Sequence, residues 1–346
     1  MTTIEEMTKC RSPREVLGWS RDLVSPALRR AVDTLPASMR RIAGYHFGWW
    51  DGQGRPTAAD GGKAIRPTLT LLAAEAVGGV PAAAAPAAVA VELVHNFSLL
   101  HDDVMDGDAT RRHRPTAWSV FGINSAILAG DALLTLAFDV LAASGHAAAA
   151  EGMLLLSAAV QDLIDGQSAD LAFEARADVN LTEALRMAEA KTGALLGCAC
   201  GLGAVFGGGS PKQIERMRGF GEHLGLAFQL VDDLLGIWGD PAATGKPVYS
   251  DLRSRKKSLP VTAALTSGAS AGHELATLYH RDQPLSDADL AHAAELIDRA
   301  GGRAWSRAEA DDLLAQALRQ LRSAAPAGRA AAELDALARL ATRRDR

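Results

Sequence analysis

The sequence feature that most constrains the fold is the run of residues 87–106, AAVAVELVHNFSLLHDDVMD, which is apolar over most of its length and ends in acid. Such a run predicts a helix that is buried on most sides, as at the centre of a helical bundle. Ala and Leu dominate the remaining sequence and aromatic residues make up only 5% of it. Because Ala and Leu lose little on entering a helix, we predict an all-α fold, a single large helical bundle.

Periodic apolar segments predict the other helices, and Gly-, Pro- or charge-rich segments predict loops at 51–63, 107–116 and 239–257. The predicted helices cover residues 13–35, 37–50, 66–77, 122–144, 147–175, 181–206, 211–238, 258–268, 286–300, 304–323 and 328–344. Pro26 predicts a break in the first of them. No linker divides the chain, so we predict a flexible N-terminus over 1–12 and one helical domain over 13–346.

The charge balance excludes one large class of partner. The net charge is −5 and the pI is about 6.0, which argues against nucleic-acid binding but leaves room for a small anionic substrate. Cys10, Cys198 and Cys200 form no disulfide framework, as in a reducing compartment. The N-terminus does not resemble a signal peptide, and the longest apolar stretches are short for a membrane span or carry charges. We expect a soluble, cytoplasmic protein.

Three aspartates, Asp102, Asp103 and Asp106, end the apolar run. Residues four apart lie on one helix face with Cβ atoms about 6 Å apart, so Asp102 and Asp106 can share one or two metal ions. Asp103 points about 100° away. Carboxylates are hard ligands suited to Mg²⁺, and a cation would offset their repulsion at the negative end of the helix dipole. A lone DxxxD pattern is more often a solvated helix end.

A second pair, Asp232 and Asp233, interrupts another apolar segment, LAFQLVDDLLGIWGD. Two such pairs, each followed by a basic loop, are hard to explain by solvation alone. Basic side chains that could cover phosphate oxygens are Lys63, Arg66, His95, Arg111, Arg112, Lys191, Lys246 and Lys256. Each of them alone is more often a surface charge, and His95 a core histidine. The pattern favours acids that hold metal ions, which in turn hold a diphosphate.

Several motifs occur in order over residues 60–265: GGKAIRP, HNFSLLHDDVMDGDATRRHRPT, NSAILAGDALL, GQSADL, the Lys191-Thr192 pair, QLVDDLLGIWGD, GK and KKSLP. In this order they resemble the trans-isoprenyl diphosphate synthases, the polyprenyl synthetase family. The resemblance implies helices around a central cavity, a homodimer, and Mg²⁺-dependent, head-to-tail condensation of isopentenyl diphosphate with an allylic diphosphate.

The resemblance also implies a role for each matching residue. Asp102 and Asp106 would bind two Mg²⁺ ions and Asp232 a third, with Asp103 and Asp233 in support. The allylic diphosphate would be held by Arg111, Lys191, Thr192, Gln229, Lys246 and Lys256, of which Lys191 and Lys246 would also assist catalysis. Isopentenyl diphosphate would be held by Lys63, Arg66, His95 and Arg112.

The chain departs from the family pattern at three positions. Gly236 replaces the last acid of DDxxD, Tyr249 replaces a glycine in the GKxxGxD loop, and His113 replaces a glycine after the two arginines. Asp240 follows Asp232 by eight residues, about 12 Å along a helix, and could not substitute unless the helix ends or bends first. We expect activity to survive, although a non-catalytic regulatory subunit stays an alternative.

Product length in this family depends on bulk below the first aspartate segment. Phe97 is large and Ser98 is small, which resembles enzymes that stop near C20, geranylgeranyl diphosphate. C15, or C25 and longer, are alternatives. Leu133 or Leu136 could change the position of the floor, the bulky side chain that stops the growing product, and Phe97 could be a core residue only. A terpene cyclase is a further alternative, which GGKAIRP, Arg112 and KKSLP disfavour.

Overall fold

The computed structural model describes residues 10–57, 62–241, 247–281 and 283–343. Apart from one two-stranded hairpin, the regular elements described are helical, which confirms the all-α prediction. By contacts, the chain divides into two compact units. Unit 1 comprises residues 1–158, 198–218 and 321–336, and unit 2 the remainder. The prediction of one domain over 13–346 stays a prediction.

Unit 1 contains the apolar run as helix α4, which packs against its neighbours α3 and α6. Its elements are α1 (Pro13–Asp33), α2 (Ala37–His46), α3 (Ile65–Ala76), a 3₁₀ turn (Pro81–Ala84), α4 (Ala85–Met105), β1 (Thr110–Arg111), β2 (Arg114–Pro115), α5 (Ala117–Phe121) and α6 (Ile123–Ala142). Leu93, Val94 and Leu100 of α4 are fully buried, as predicted for a central helix.

Other helices contribute residues to both units: α7 (Ala149–Glu174), α9 (Ala194–Phe206), α10 (Pro211–Trp238), α15 (Gly302–Ser323) and α16 (Gly328–Thr342). The elements wholly in unit 2 are α8 (Leu181–Ala188), a π-helical segment (Glu189–Gly193), α11 (Ser250–Arg253), α12 (Leu259–Leu265), α13 (Ser270–Tyr279) and α14 (Asp287–Arg299). Buried Ile237, Leu252 and Val261 belong to one apolar cluster of this unit.

Several helix predictions were wrong. Pro26 does not break α1, which continues to Asp33 because Val24 and Leu28 on either side are anchored in the core. The helix expected to reach residue 50 ends at His46, and Trp50 instead pairs with Pro56 in a β-bridge. The predictions also missed helices α5, α11 and α13, of which α11 lies in the predicted loop 239–257.

The predicted flexible N-terminus falls partly on residues 1–9, which lie outside the described residues. Arg11 is held firmly, since its backbone N–H donates to Glu333 Oε1 at 2.9 Å and its guanidinium pairs with the same carboxylate. Ser12 caps α1 in a capping box with Glu15.

Two helical stretches of the described chain are long and apolar enough to cross a membrane by length and composition, Pro81–Met105 and Ile123–Ala142. A buried core helix passes the same test, and 72% of the first stretch is buried in the protein. The second is 39% buried, because Ile123, Ile127 and Leu128 are exposed. Cys198 and Cys200 are buried and Cys10 is exposed, all as free thiols.

Candidate active site

The acids at the end of α4 differ in their exposure to solvent. The helix ends at Met105, and the backbone N–H of Asp106 closes it by donating to the Asp102 carbonyl at 2.8 Å. Asp106 is exposed and Asp102 half-buried, whereas Asp103 is 1% exposed. The predicted separation is therefore present: Asp102 and Asp106 lie one turn apart on the accessible side, and Asp103 faces the interior.

Asp103 connects α4 to the hairpin that follows it. The Arg111 Nε donates to Asp103 Oδ1 at 2.7 Å, whereas the buried Oδ2 has no hydrogen-bond partner in the described chain. Burial raises the pKa of Asp103 to about 6, although the neighbouring Arg111 opposes the shift. Asp103 thus positions Arg111, which sequence reasoning assigned only to substrate binding.

The hairpin turn shows the conformational cost of one departure from the family pattern. Arg112 and His113 both have positive φ, 50° and 60°, as two-residue hairpin loops require. A glycine adopts this conformation at lower cost, whereas His113 is a strained residue at an exposed tip. The turn keeps Arg111 and Arg114 paired across the two strands.

The predicted isopentenyl diphosphate residues lie together in unit 1. The Arg66 Nη1 donates to His95 Nε2 at 3.2 Å. Burial, followed by the charges of Arg66 and Arg112, lowers the pKa of His95 well below its usual value, so the ring is neutral. A Cβ at Gly62, next to the exposed Lys63, would lie 2.9 Å from the Arg112 Cζ; glycine here permits that close approach.

Two groups in this cluster were missed by sequence reasoning. Glu92 is buried and bonded to Asn96 Nδ2 at 3.0 Å, and burial raises its pKa against the opposing charges of Arg66 and Arg112. His46 lines a small cavity with Asp103 and Arg111, and burial and the arginines lower its pKa to about 3. No sequence signal identified His46, since a single histidine on an amphipathic helix is usually structural.

The second aspartate pair, on α10, divides in the same way. Asp232 is exposed and Asp233 is 4% exposed. Gln229 Nε2 donates to Asp233 Oδ1 at 2.7 Å, and the Leu259 backbone N–H donates to Oδ2 at 2.9 Å. Burial raises the pKa of Asp233 to about 7, with Lys256 opposing. Thr192 Oγ1 donates to Gln229 Oε1 at 2.6 Å, so the chain of bonds runs from Thr192 to Asp233.

Lys191 and Thr192 lie in the π-helical segment, whose extra residue widens the helix locally, a feature frequent at functional sites. Lys191 Nζ pairs with Asp170 Oδ2 at 2.6 Å, and Lys256 Nζ lies 3.8 Å from the same oxygen. Burial alone would raise the pKa of Asp170, but the two ammonium groups lower it overall. Asp170 is the acid of GQSADL, to which sequence reasoning assigned no role.

Gly166 of the same motif makes this arrangement possible. A Cβ there would lie 2.9 Å from the Lys191 Cα, so any other residue would push the π-helical segment away from α7. Lys246, the remaining predicted cation, lies outside the described residues.

The described residues contain no group of three or more Asp, Glu, His or Cys side chains arranged around one metal position. Mg²⁺ does not require one, since it is usually held by one or two carboxylates together with water and substrate phosphates. The donor chemistry of Asp102, Asp106 and Asp232 fits this mode, because carboxylates are hard oxygen ligands and none of the three side chains is fully buried.

The helical fold and the two aspartate pairs, each with one accessible and one buried acid, define an enzyme with the all-α isoprenoid synthase fold. The sequence profile of the polyprenyl synthetase family matches residues 53–297, and the chain belongs to that family. It is 50% identical to the (2E,6E)-farnesyl diphosphate synthase of Mycobacterium tuberculosis H37Rv over 96% of this chain and 93% of the relative. It is 44% identical to a geranylgeranyl diphosphate synthase of the same strain, over 92% and 91%.

A solved structure, the polyprenyl synthetase of Streptomyces coelicolor A3(2), superposes with a TM-score of 0.91 at 48% identity and covers 95% of this chain and 99% of its own. These findings confirm the resemblance drawn from the motifs. The chain is therefore a prenyltransferase that joins isoprenyl units head to tail. They do not confirm a C20 product, since the 50% identical relative is a farnesyl diphosphate synthase.

Proposed function

We propose that this protein uses Mg²⁺ to extend an allylic diphosphate with isopentenyl diphosphate, and that it stops at geranylgeranyl diphosphate. The observation that carries the reaction is the pair of divided aspartate segments, each with an accessible acid and basic side chains around it. Bound Mg²⁺ would neutralise the departing diphosphate through the carboxylates of Asp102, Asp106 and Asp232, three ions in all.

The cations form two groups with separate tasks in this proposal. Lys191 and Lys256, both anchored on Asp170, bind the allylic diphosphate with Thr192, Gln229, Arg111 and Lys246. Lys63, Arg66, His95 and Arg112 bind isopentenyl diphosphate. A neutral His95 accepts from Arg66 and so adds no positive charge of its own, and it aims the guanidinium by that bond.

The proposal of a C20 product rests on the residues one turn before Asp102. Phe97 is buried, and its ring packs edge-on against His101 with centroids 4.8 Å apart. His101 in turn contacts the Ile127 carbonyl on α6 at 3.0 Å, which fixes the ring in place. Ser98 is small, and its Oγ donates to the His95 carbonyl of its own helix at 2.9 Å.

A C15 product is the second candidate, favoured by the 50% identity to a farnesyl diphosphate synthase against 44% for the geranylgeranyl enzyme. The test is to incubate the purified protein with Mg²⁺, isopentenyl diphosphate and each allylic starter, and to measure product length. A C20 product supports the proposal, whereas a C15 product means that the enzyme stops at farnesyl diphosphate. Turnover without consumption of isopentenyl diphosphate would instead indicate a cyclase, and no turnover a regulatory subunit.

Two variants test whether Phe97 limits product length or only packs in the core. If Phe97 limits the product, Phe97→Ala lengthens it by at least one isoprene unit, and Ser98→Phe shortens it. If Phe97 is only a core residue, Phe97→Ala lowers the melting temperature with product length unchanged. Leu141→Ala, at a fully buried position near the end of α6, is the matched core truncation.

We also propose a homodimer in the cytoplasm. Supporting the dimer, Ile123, Ile127 and Leu128 of α6 are all exposed in the single chain, and exposed apolar side chains grouped along one helix are typical of surfaces that another protein covers. Light scattering of the native protein and of Leu128→Glu checks this, because a charge in a dimer interface would yield monomers.

A further inference from the structure

The last residue of α2, His46, lies beside the buried acid of the first aspartate segment. The His46 and Asp103 side chains line one small cavity in unit 1, together with Arg111 and Arg112. His46 Nε2 and Asp103 Oδ2 are both fully buried, and neither has a hydrogen-bond partner among the described residues. Buried polar atoms without a partner are costly, because folding removes them from bulk water. A molecule that bonds to both atoms would remove that cost.

The size of the cavity decides which molecule this is. Its volume is about 20 Å³, which suits a single water molecule and is too small for a phosphate group. A buried water forms roughly two to four hydrogen bonds, and His46 Nε2 and Asp103 Oδ2 provide two partners. Water both donates and accepts, so it can bond to a carboxylate oxygen and to an imidazole nitrogen in either tautomer.

The residue before His46 fixes the end of α2 in this position. Tyr45 Oη donates to the Pro115 carbonyl at 2.8 Å, and Arg114 Nη1 donates to the Tyr45 carbonyl at 3.3 Å. The Arg114 guanidinium also lies over the Tyr45 ring, 4.5 Å from its centroid. Arg114 and Pro115 form β2, and Arg114 is the partner of Arg111 on β1. The end of α2 is therefore fastened to the hairpin that carries Arg111.

We propose that His46 is a positioning residue: one buried water bonds to its Nε2 and to Asp103 Oδ2, and through that water the histidine holds the carboxylate that orients Arg111. Asp103 is then fixed at both oxygens, since its Oδ1 accepts from Arg111 Nε at 2.7 Å. The second bond matters because the terminal torsion of an aspartate has only a broad preference of its own. The inference rests on the proposed function, because it assumes that Arg111 binds the allylic diphosphate.

Steady-state kinetics of two substitutions at His46 test the inference. His46→Leu keeps bulk in place but cannot bond to water. It should raise the KM for the allylic diphosphate by about tenfold, the effect of losing one hydrogen bond to a charged group, with smaller changes in kcat and in the KM for isopentenyl diphosphate. His46→Gln offers a polar atom near the position of Nε2 and should restore the allylic KM to within a few-fold of the native value.

The matched control is His146→Leu. His146 is also half-buried, and its ring stacks on Phe206 with centroids 4.4 Å apart, outside the residues that line the cavity. This substitution should leave both KM values unchanged even if it lowers the melting temperature. A folded His46→Leu variant with the native allylic KM would overturn the proposal. Absence of elongated product from the native protein would instead contradict the proposed function.

A double substitution tests whether His46 acts through Asp103. Residues that act as one connected unit have effects that do not add. Adding His46→Leu to Asp103→Asn should therefore change the allylic KM by no more than about twofold, since the carboxylate that the histidine holds is already gone. A further rise of about tenfold in the double variant would show that His46 acts by another route, and would overturn the proposal.

The water itself can be observed in the native protein, without any variant that must fold. A high-resolution crystal structure should show one ordered solvent molecule about 2.7–3.2 Å from both His46 Nε2 and Asp103 Oδ2. A direct bond between the two side chains, or a cavity closed without ordered solvent, would overturn the proposal.

Discussion

The two aspartate segments both combine accessible acids with one buried acid, but they differ in how many accessible acids lie on the helix. In each, one neighbour of a DD pair faces solvent and the other is buried and bonded: Asp103 to Arg111, and Asp233 to Gln229 and Leu259. In the first segment, the accessible acids, Asp102 and Asp106, belong to one helix. In the second, only Asp232 remains on α10, and Asp251 approaches from a separate helix.

The first segment therefore places two accessible acids one turn apart through a local sequence pattern, because residues four apart share a helix face. In the second segment Gly236 offers no carboxylate, and the Asp251 carboxylate lies where a side chain at position 236 would begin.

The largest effect on kcat is expected at the accessible acids, Asp102 and Asp232. Asp102→Asn and Asp232→Asn should each reduce kcat by about 10²- to 10³-fold, since the charge that stabilises the departing diphosphate is lost. Their melting temperatures should stay near the native value because both side chains lie on the accessible side of their helices. Steady-state kinetics and thermal melts check this, and a variant with native kcat would remove that acid from the metal site.

A smaller effect is expected at Asp170, which aims the Lys191 ammonium in unit 2. Asp170→Asn should raise the KM for the allylic diphosphate by about tenfold, comparable to other supporting contacts, with less effect on the KM for isopentenyl diphosphate. Asp178→Asn, an acid paired with Arg176 on the surface, is the control. Equal changes in both KM values would show that Asp170 acts only through stability.

The weakest effect concerns pH and the buried acids. Their folded pKa values, about 6 for Asp103 and about 7 for Asp233, lie above the ordinary 3.8. A raised carboxyl pKa means that the folded state favours the protonated form, so its contribution to stability is complete below pH 4 and is lost as pH rises through 6 to 7. A difference of one between the folded and unfolded pKa corresponds to about 1.4 kcal/mol in the free energy of unfolding.

Metal-free protein should therefore lose stability from these groups between about pH 4 and 7. Urea unfolding across that range should show a shallower dependence for Asp233→Asn than for the native protein, while Asp232→Asn follows the native curve. Parallel curves for all three proteins would mean that Asp233 is charged in the fold.

Sequence reasoning predicted the helices and the aspartate pairs because both are local patterns. It missed what tertiary packing decides. The π-helical segment around Lys191 depends on the approach of Gly166, and α1 passes through Pro26 because its apolar face is anchored in the core. Asp251 is the last acid of the GKxxGxD loop, but spacing along the sequence gives no information about its approach to Gly236 on another helix.

The most direct measurement is a crystal structure of the protein with Mg²⁺ and inorganic diphosphate. We expect Mg²⁺ at about 2.0–2.1 Å from carboxylate oxygens of Asp102, Asp106 and Asp232, with Asp103 still bonded to Arg111 and Asp233 to Gln229. A metal ion bound by Asp103 or Asp233, with Asp102 or Asp232 turned away from it, would contradict the division between accessible and buried acids.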